Sequence, residues 1–387
     1  MARESRRAVI CGTGAAGLTL ASQLGRYGWQ VLLVESGAAP RGGGFAVDLT
    51  PEALASARQM GVLPQLRSAG ELISRVRWVS ADGRNVADVD LFAGEASQSC
   101  WPIKLLRSDL ERVLLKNVPA NVEVTFGDEV VEVRTPPGQV DVTLASGRQI
   151  TADLLVGADG VHSRIRDLVF GEGALWSRAL GYDTAACVFE DSALREVAQG
   201  RVTIVTAPRR QIALYRLRTG RVAANFVFQS TQTGHPGLGV ERLEQVYGDL
   251  GGCVPRVLAG AATSSEVRYE TAMQVKMQRW HRGRVALLGD ACHAFSMLPG
   301  QGASIGIAAA YCLGQEIARS ESIQAPFDWY QRRLMGEIAS RRAAARRRAA
   351  WLVPATPLRL LLRNGLLKLA SVRRLRRLLW PILIGSP

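Results

Sequence analysis

Apolar and polar positions alternate along this chain in two rhythms. Short, wholly apolar runs give way to longer stretches with a helical period, and period-two segments crowd the middle. Residues 8–11 predict a buried strand, 15–27 a helix and 31–35 a second strand. Thr50-Pro51 opens a helix, with threonine as N-cap and proline at the first helical position. Residues 73–91 predict a hairpin turning at Asp82-Gly83, and Ser108-Asp109-Leu110-Glu111 a capping box on a helix reaching residue 116. Alternating strands follow at 122–126, 130–134, 140–144 and 149–156, then at 212–218 and 222–229. The last third predicts an apolar strand at 284–288, a long apolar helix at 302–319 and a helix at 328–351. Leucine-rich basic helices then run over 358–384.

At 387 residues the chain has room for two domains around a sizeable core. Six scattered cysteines with no C-x-x-C pair argue against a disulfide framework or a metal site, and they fit a reducing cytoplasm. Arg6-Arg7 before an apolar run resembles a signal peptide, but cleavage would destroy a complete βαβ unit. No apolar stretch is long enough to span a bilayer.

The net charge of +14 changes meaning once it is located. Residues 331–387 carry 14 basic side chains and one acidic, Glu337; the first 330 residues hold 34 basic and 33 acidic groups. The charge belongs to the tail. A solvated helix face accounts for such a run, with peripheral contact to an anionic membrane as the functional alternative; nucleic acid is not expected as a partner.

Three glycine-centred motifs carry the chemistry. The first, Gly12-Thr13-Gly14-Ala15-Ala16-Gly17, follows a strand and opens a helix, the context in which G-x-G-x-x-G cradles a pyrophosphate. Glu35, with Ser36 beside it, ends the second strand where a carboxylate accepts hydrogen bonds from ribose hydroxyls. The second is Gly157-Ala158-Asp159-Gly160. The third, Gly289-Asp290, is followed by Pro299-Gly300-Gln301-Gly302-Ala303. A carboxylate at Asp290 suits a ribityl chain, and the amides opening the helix at Gly302 suit an anionic isoalloxazine ring.

In this order the motifs resemble those of the class A flavin monooxygenases, the p-hydroxybenzoate hydroxylase fold. Arg107-Ser108-Asp109-Leu110 matches that family's R-x-x-L. The stretch from Arg41 to Leu49 looks most like the compact tetracycline-inactivating members, and would lay Arg41 and Asp48 along the flavin. The resemblance implies an α/β fold with a Rossmann-like FAD-binding domain, a β-sheet substrate domain and C-terminal helices. The expected FAD-binding domain is discontinuous, from residues 1–72, 98–172 and 275–325. Residues 73–97 and 173–274 then form the substrate domain, and 326–387 the helical segment. The resemblance also implies FAD as cofactor, NAD(P)H as transient reductant and O2 as co-substrate. One oxygen would pass, through a flavin C4a-hydroperoxide, to an aromatic or polycyclic natural-product-like compound. The protein would be a cytoplasmic monomer or homodimer.

The copy is inexact at two places. Ser304 stands where the family has glycine or asparagine, and Ala309 where it often has aspartate; altered helix packing is expected without loss of FAD. His293 reads as a structural part of the turn after Asp290 and Cys292 as a buried, inert thiol; the resemblance implies that Asp159, with Gly160 beside it, orders its loop and serves the FAD pyrophosphate and the reduced nicotinamide. Trp101-Pro102 only partly matches the tryptophan signature of flavin halogenases.

On the substrate side, Gln211 and Tyr215 share one strand face, and Phe226 and Phe228 share another. These four are candidate pocket residues, with ordinary core positions as the equal alternative. Two other functions stay open: a membrane-associated, isoprenoid-directed reductase or non-redox cyclase, prompted by the basic leucine-rich tail, and a non-catalytic FAD-binding regulator.

Overall fold

The computed structural model describes residues 6–40, 42–90, 103–171, 176–230, 239–295 and 301–371. Two large sheets organise them. The first has six strands in the order His281–Arg282, Val285–Leu287, Leu154–Gly157, Arg7–Cys11, Gln30–Glu35 and Val122–Phe126. All pairings are parallel except that of the edge strand His281–Arg282. Parallel strands covered on both faces read as unbroken apolar runs, which is why RAVIC, QVLLVE and LLVG are almost wholly buried. The central strand Arg7–Cys11 lies between Gln30–Glu35 and Leu154–Gly157, a switch in strand order whose carboxyl end opens a crevice. On one face the helix Ala15–Arg26 packs closely on Gln301–Arg319. A Cβ at Gly306 would stand 3.3 Å from that of Ala16, and one at Gly314 only 2.6 Å from that of Gln23.

The second sheet has seven strands in the order Val267–Val275, Ser177–Phe189, Val222–Gln229, Arg210–Arg216, Arg201–Ala207, Arg75–Val79 and Asn85–Asp90. One of its faces carries Ala185, Leu214, Ala224, Phe226 and Phe228 against the helices Val240–Tyr247 and Val254–Thr263. The other face is partly covered by the C-terminal helices Gln324–Leu352 and Pro357–Ser371. Ala349 and Val353 pack beside Val227, and Leu367 and Ala370 join the cluster that holds Ala87 and Val89 with Trp78 and Tyr215.

Three expectations change. Residues 149–156 form two strands, because Gln149–Ala152 alternates in burial and joins a small antiparallel sheet while Leu154–Gly157 is buried on both sides. Asp153 breaks them: its carboxylate accepts the Arg7 N–H at 2.8 Å and its carbonyl accepts Arg284 at 2.9 Å. There is no capping box at Ser108. The strand Ile103–Leu106 runs straight into the helix Arg107–Lys116, and the Arg107 N–H is satisfied by the Phe45 carbonyl at 2.9 Å. Glu111 pairs instead with Arg107 one turn back, Oε1 to Nε 2.9 Å. The strand expected at 212–218 runs two residues earlier, and Leu217 closes the turn by donating to the Arg221 carbonyl.

Candidate functional site

The first glycine turn is dictated by backbone contact. Gly12 has φ +102°, and a Cβ there would stand 2.4 Å from the Ala158 carbonyl oxygen. One at Gly17 would stand 2.0 Å from the Gly12 carbonyl oxygen, so both motifs interlock only through glycine. Glu35 locks the turn from the neighbouring strand. Its carboxylate accepts the Thr13 N–H and hydroxyl, each at 2.8 Å, and the Gly37 N–H at 3.1 Å. Ser36 is exposed at the strand end.

One cleft gathers the motifs. Gly14, Ala15 and Ala16 line it with Gly160, Asp290, Gly302, Ala303 and Arg107, residues drawn from across the chain. Above the Gly14 amide the space is open, since a Cβ there would meet only Arg107 Nη2 at 3.7 Å and Glu111 Oε1 at 3.8 Å. A helix N-terminus under a guanidinium, with no side chain between them, suits an anionic pyrophosphate. An adjoining cavity of about 530 Å³ is lined by Thr13, Pro40, Glu111, Arg112 and Phe126, extending the cleft toward the end of Glu35's strand. An elongated dinucleotide fits this pair of spaces.

Charge is concentrated at Arg107. Burial disfavours its charged form, but Glu111, Glu270 and Asp290 outweigh that and raise its pKa. Asp290 is pushed up by burial, against the pull of Arg107. Gly302 has no room for a side chain, because a Cβ would stand 2.8 Å from Asp290 Oδ1. The helix Gln301–Arg319 therefore starts against that carboxylate.

Burial likewise raises Asp159, whose Oδ2 accepts the Ile165 N–H at 3.0 Å and so orders the loop after the second motif. Arg166, which the motifs did not flag, ties this loop to the third motif. Its guanidinium donates to the Val161 carbonyl at 3.0 Å and the Ala291 carbonyl at 3.1 Å. His293 is buried with its ring against Trp280, centroids 5.4 Å apart, and Cys292 is buried with its thiol donating to the Leu287 carbonyl. Among the described residues no cluster of ligands could hold a metal ion.

Other sequence candidates fall elsewhere. Val47, not Asp48, faces the cleft; strand alternation turns Asp48 to Lys104, Oδ1 to Nζ 2.5 Å. Arg41, Pro299 and Gly300 lie outside the described residues, as do Trp101 and Pro102. Phe226 and Phe228 do not reach the cleft, because their register with Ala185 and Asp183 puts them on the far face, edge-on to Tyr247. Tyr215 sits under the Lys104–Asp48 pair, Nζ 5.1 Å from its ring centroid, and the buried Gln211 Oε1 has no partner among the described residues. The wall that does close the cleft is Thr184, Glu270, Thr271, Ala272 and Met273 from the edge of the second sheet, with Phe45 and Phe295. No motif marks these residues, which reach the site through sheet register alone.

This fold and cleft define a class, the FAD-dependent monooxygenases of the p-hydroxybenzoate hydroxylase type. The chain belongs to the FAD binding domain family, whose model matches residues 6–332. A flavin-dependent monooxygenase of an unknown prokaryotic organism is 27% identical over 322 residues, covering 81% of each chain. The crystal structure of Klebsiella pneumoniae HpxO complexed with FAD and uric acid superposes with a TM-score of 0.83 at 20% identity. That match covers 98% of this chain and 96% of the other. The tetracycline destructase Tet(51) gives 0.75 at 24% identity, covering 95% and 98%.

Proposed function

We propose that the enzyme consumes NAD(P)H and O2 to place one oxygen atom in an aromatic or polycyclic, natural-product-like substrate. The observation that carries this reading is the wall described above: apolar Ala272, Met273, Phe45 and Phe295 with three polar side chains, Thr184, Glu270 and Thr271, across the cleft from the third motif. Bound FAD supplies the redox chemistry at such a site. The chain supplies placement and a dry surrounding.

In this proposal the Gly12–Gly17 turn holds the pyrophosphate under Arg107, and Glu35 holds a ribose. Asp290 holds the ribityl chain, and the amides around Gly302 and Ala303 face the ring. Segments 1–72, 98–172 and 275–325 form the FAD-binding part, with 73–97 and 173–274 roofing it. Phe45, Val47 and Phe295 exclude water, which protects the reaction from wasteful loss of reducing equivalents.

Purified holoprotein is tested by following NADH and NADPH oxidation with a panel of aromatic polyketides under 18O2. Substrate-stimulated oxidation and a product heavier by one labelled oxygen are expected. A flavin that NAD(P)H does not bleach with any panel member would defeat the proposal.

A further inference from the structure

The helix Pro357–Ser371 is apolar on two opposite sides. Leu367 and Ala370 face inward, in the cluster that holds Ala87 and Val89 of the edge strand Asn85–Asp90 with Trp78 and Tyr215. Outward, Leu358, Leu361, Leu362 and Leu369 are 66, 68, 63 and 49% exposed, four of the seven exposed large hydrophobic side chains among the described residues. At about 100° per residue these four share an arc roughly 100° wide, with Gly365 inside it. Arg359 and Lys368, both exposed, fall on its two margins. A leucine stripe bordered by cations is the pattern of a helix lying in a membrane interface.

We propose that this outer face docks on an anionic lipid surface, with the leucines in the acyl boundary and Arg359 and Lys368 among the headgroups. Charge selects this occupant. After Glu337 the chain has no acidic residue and twelve basic ones. Among the described residues no carboxylate is in ion-pair reach of Arg347, Arg348, Arg359 or Lys368. A second copy docked by two-fold symmetry would set these cations against their own counterparts. The chain after Ser371 adds four arginines and no acid, so it cannot neutralise them.

An anionic bilayer satisfies leucines and cations together. No described helix is long and apolar enough to cross a membrane, so the attachment is peripheral. The inner side of the same helix packs on the sheet that roofs the cleft, so docking sets that sheet beside the lipid. The inference stands independently of the substrate proposed above.

Vesicle flotation of the full-length holoprotein tests it, using phosphatidylcholine alone and an equal mixture with phosphatidylglycerol, at low and high salt. Flotation with the anionic vesicles at low salt, and not with the neutral ones, is expected. The double variant Leu361→Asp/Leu362→Asp should bind at least about tenfold less while keeping its FAD content and melting temperature. Absence of flotation on anionic vesicles overturns the proposal, as does undiminished flotation of the variant. Light scattering that shows a dimer converted to monomer by the variant would assign the face to a second copy instead.

Discussion

Ser304 shows how a single departure from a family pattern acquires a structural reason. Its buried hydroxyl donates to the Asp48 carbonyl at 2.6 Å and accepts the Thr50 N–H at 3.1 Å, stapling the strand Ala46–Leu49 to the long helix. A glycine there could make neither bond. Ser304→Ala leaves both backbone groups unpaired and should cost about 1–3 kcal/mol in urea unfolding; a smaller loss would mean that water replaces the hydroxyl. His293 makes a second prediction at this scale. Burial lowers its pKa from 6.5 to about 4, so between those values the unfolded chain binds the proton more readily. Its contribution is complete above the unfolded value and drains away as pH falls, by up to about 3 kcal/mol. Thermal unfolding across that range should be acid-sensitive in the parent and flatter in His293→Phe. An equal acid dependence in both proteins would show that other groups dominate. From sequence, Ser304 was visible only as a mismatch and His293 only as a neighbour of Asp290, because the partners of both lie far along the chain.

Among elements, legibility followed exposure. The half-buried antiparallel strands Val130–Arg134 and Val140–Leu144 end where their alternation ends. A period of two is written by one wet and one dry face. Residues 149–156 misled because a single apolar stretch serves two sheets, and Ser108 misled because a strand feeds the helix directly. The C-terminal helix is a brace as well as a surface. Leu367 is buried in the cluster that includes Trp78, Ala87 and Val89, so Leu367→Ala should cost about 2–5 kcal/mol and deletion of residues 355–387 should lower the melting temperature. If the deletion leaves stability unchanged, the helix contributes surface only.

For the whole molecule, the cleft proposed to hold FAD joins segments remote in sequence, so binding there would link FAD to the fold thermodynamically. FAD at about 100 times its dissociation constant should stabilise the protein by about 2.7 kcal/mol. Gly12→Ala, whose new Cβ would collide with the Ala158 carbonyl, should lose that gain. Calorimetry with and without FAD measures it; a full FAD shift in the variant would place the nucleotide elsewhere.

Residue spacing along the chain specifies the class of cofactor and the parallel core. Glycine at 12 and 17 and acid at 35 and 290 are local backbone and charge requirements that spacing can express. Which sheet face meets the cleft depends instead on long-range packing. It brought Thr184, Glu270 and Ala272 to the site, sent Phe226 and Phe228 to the opposite core, and turned Asp48 to Lys104. A one-residue change of register exchanges the faces of a strand, and register is set by packing against residues far away in the chain.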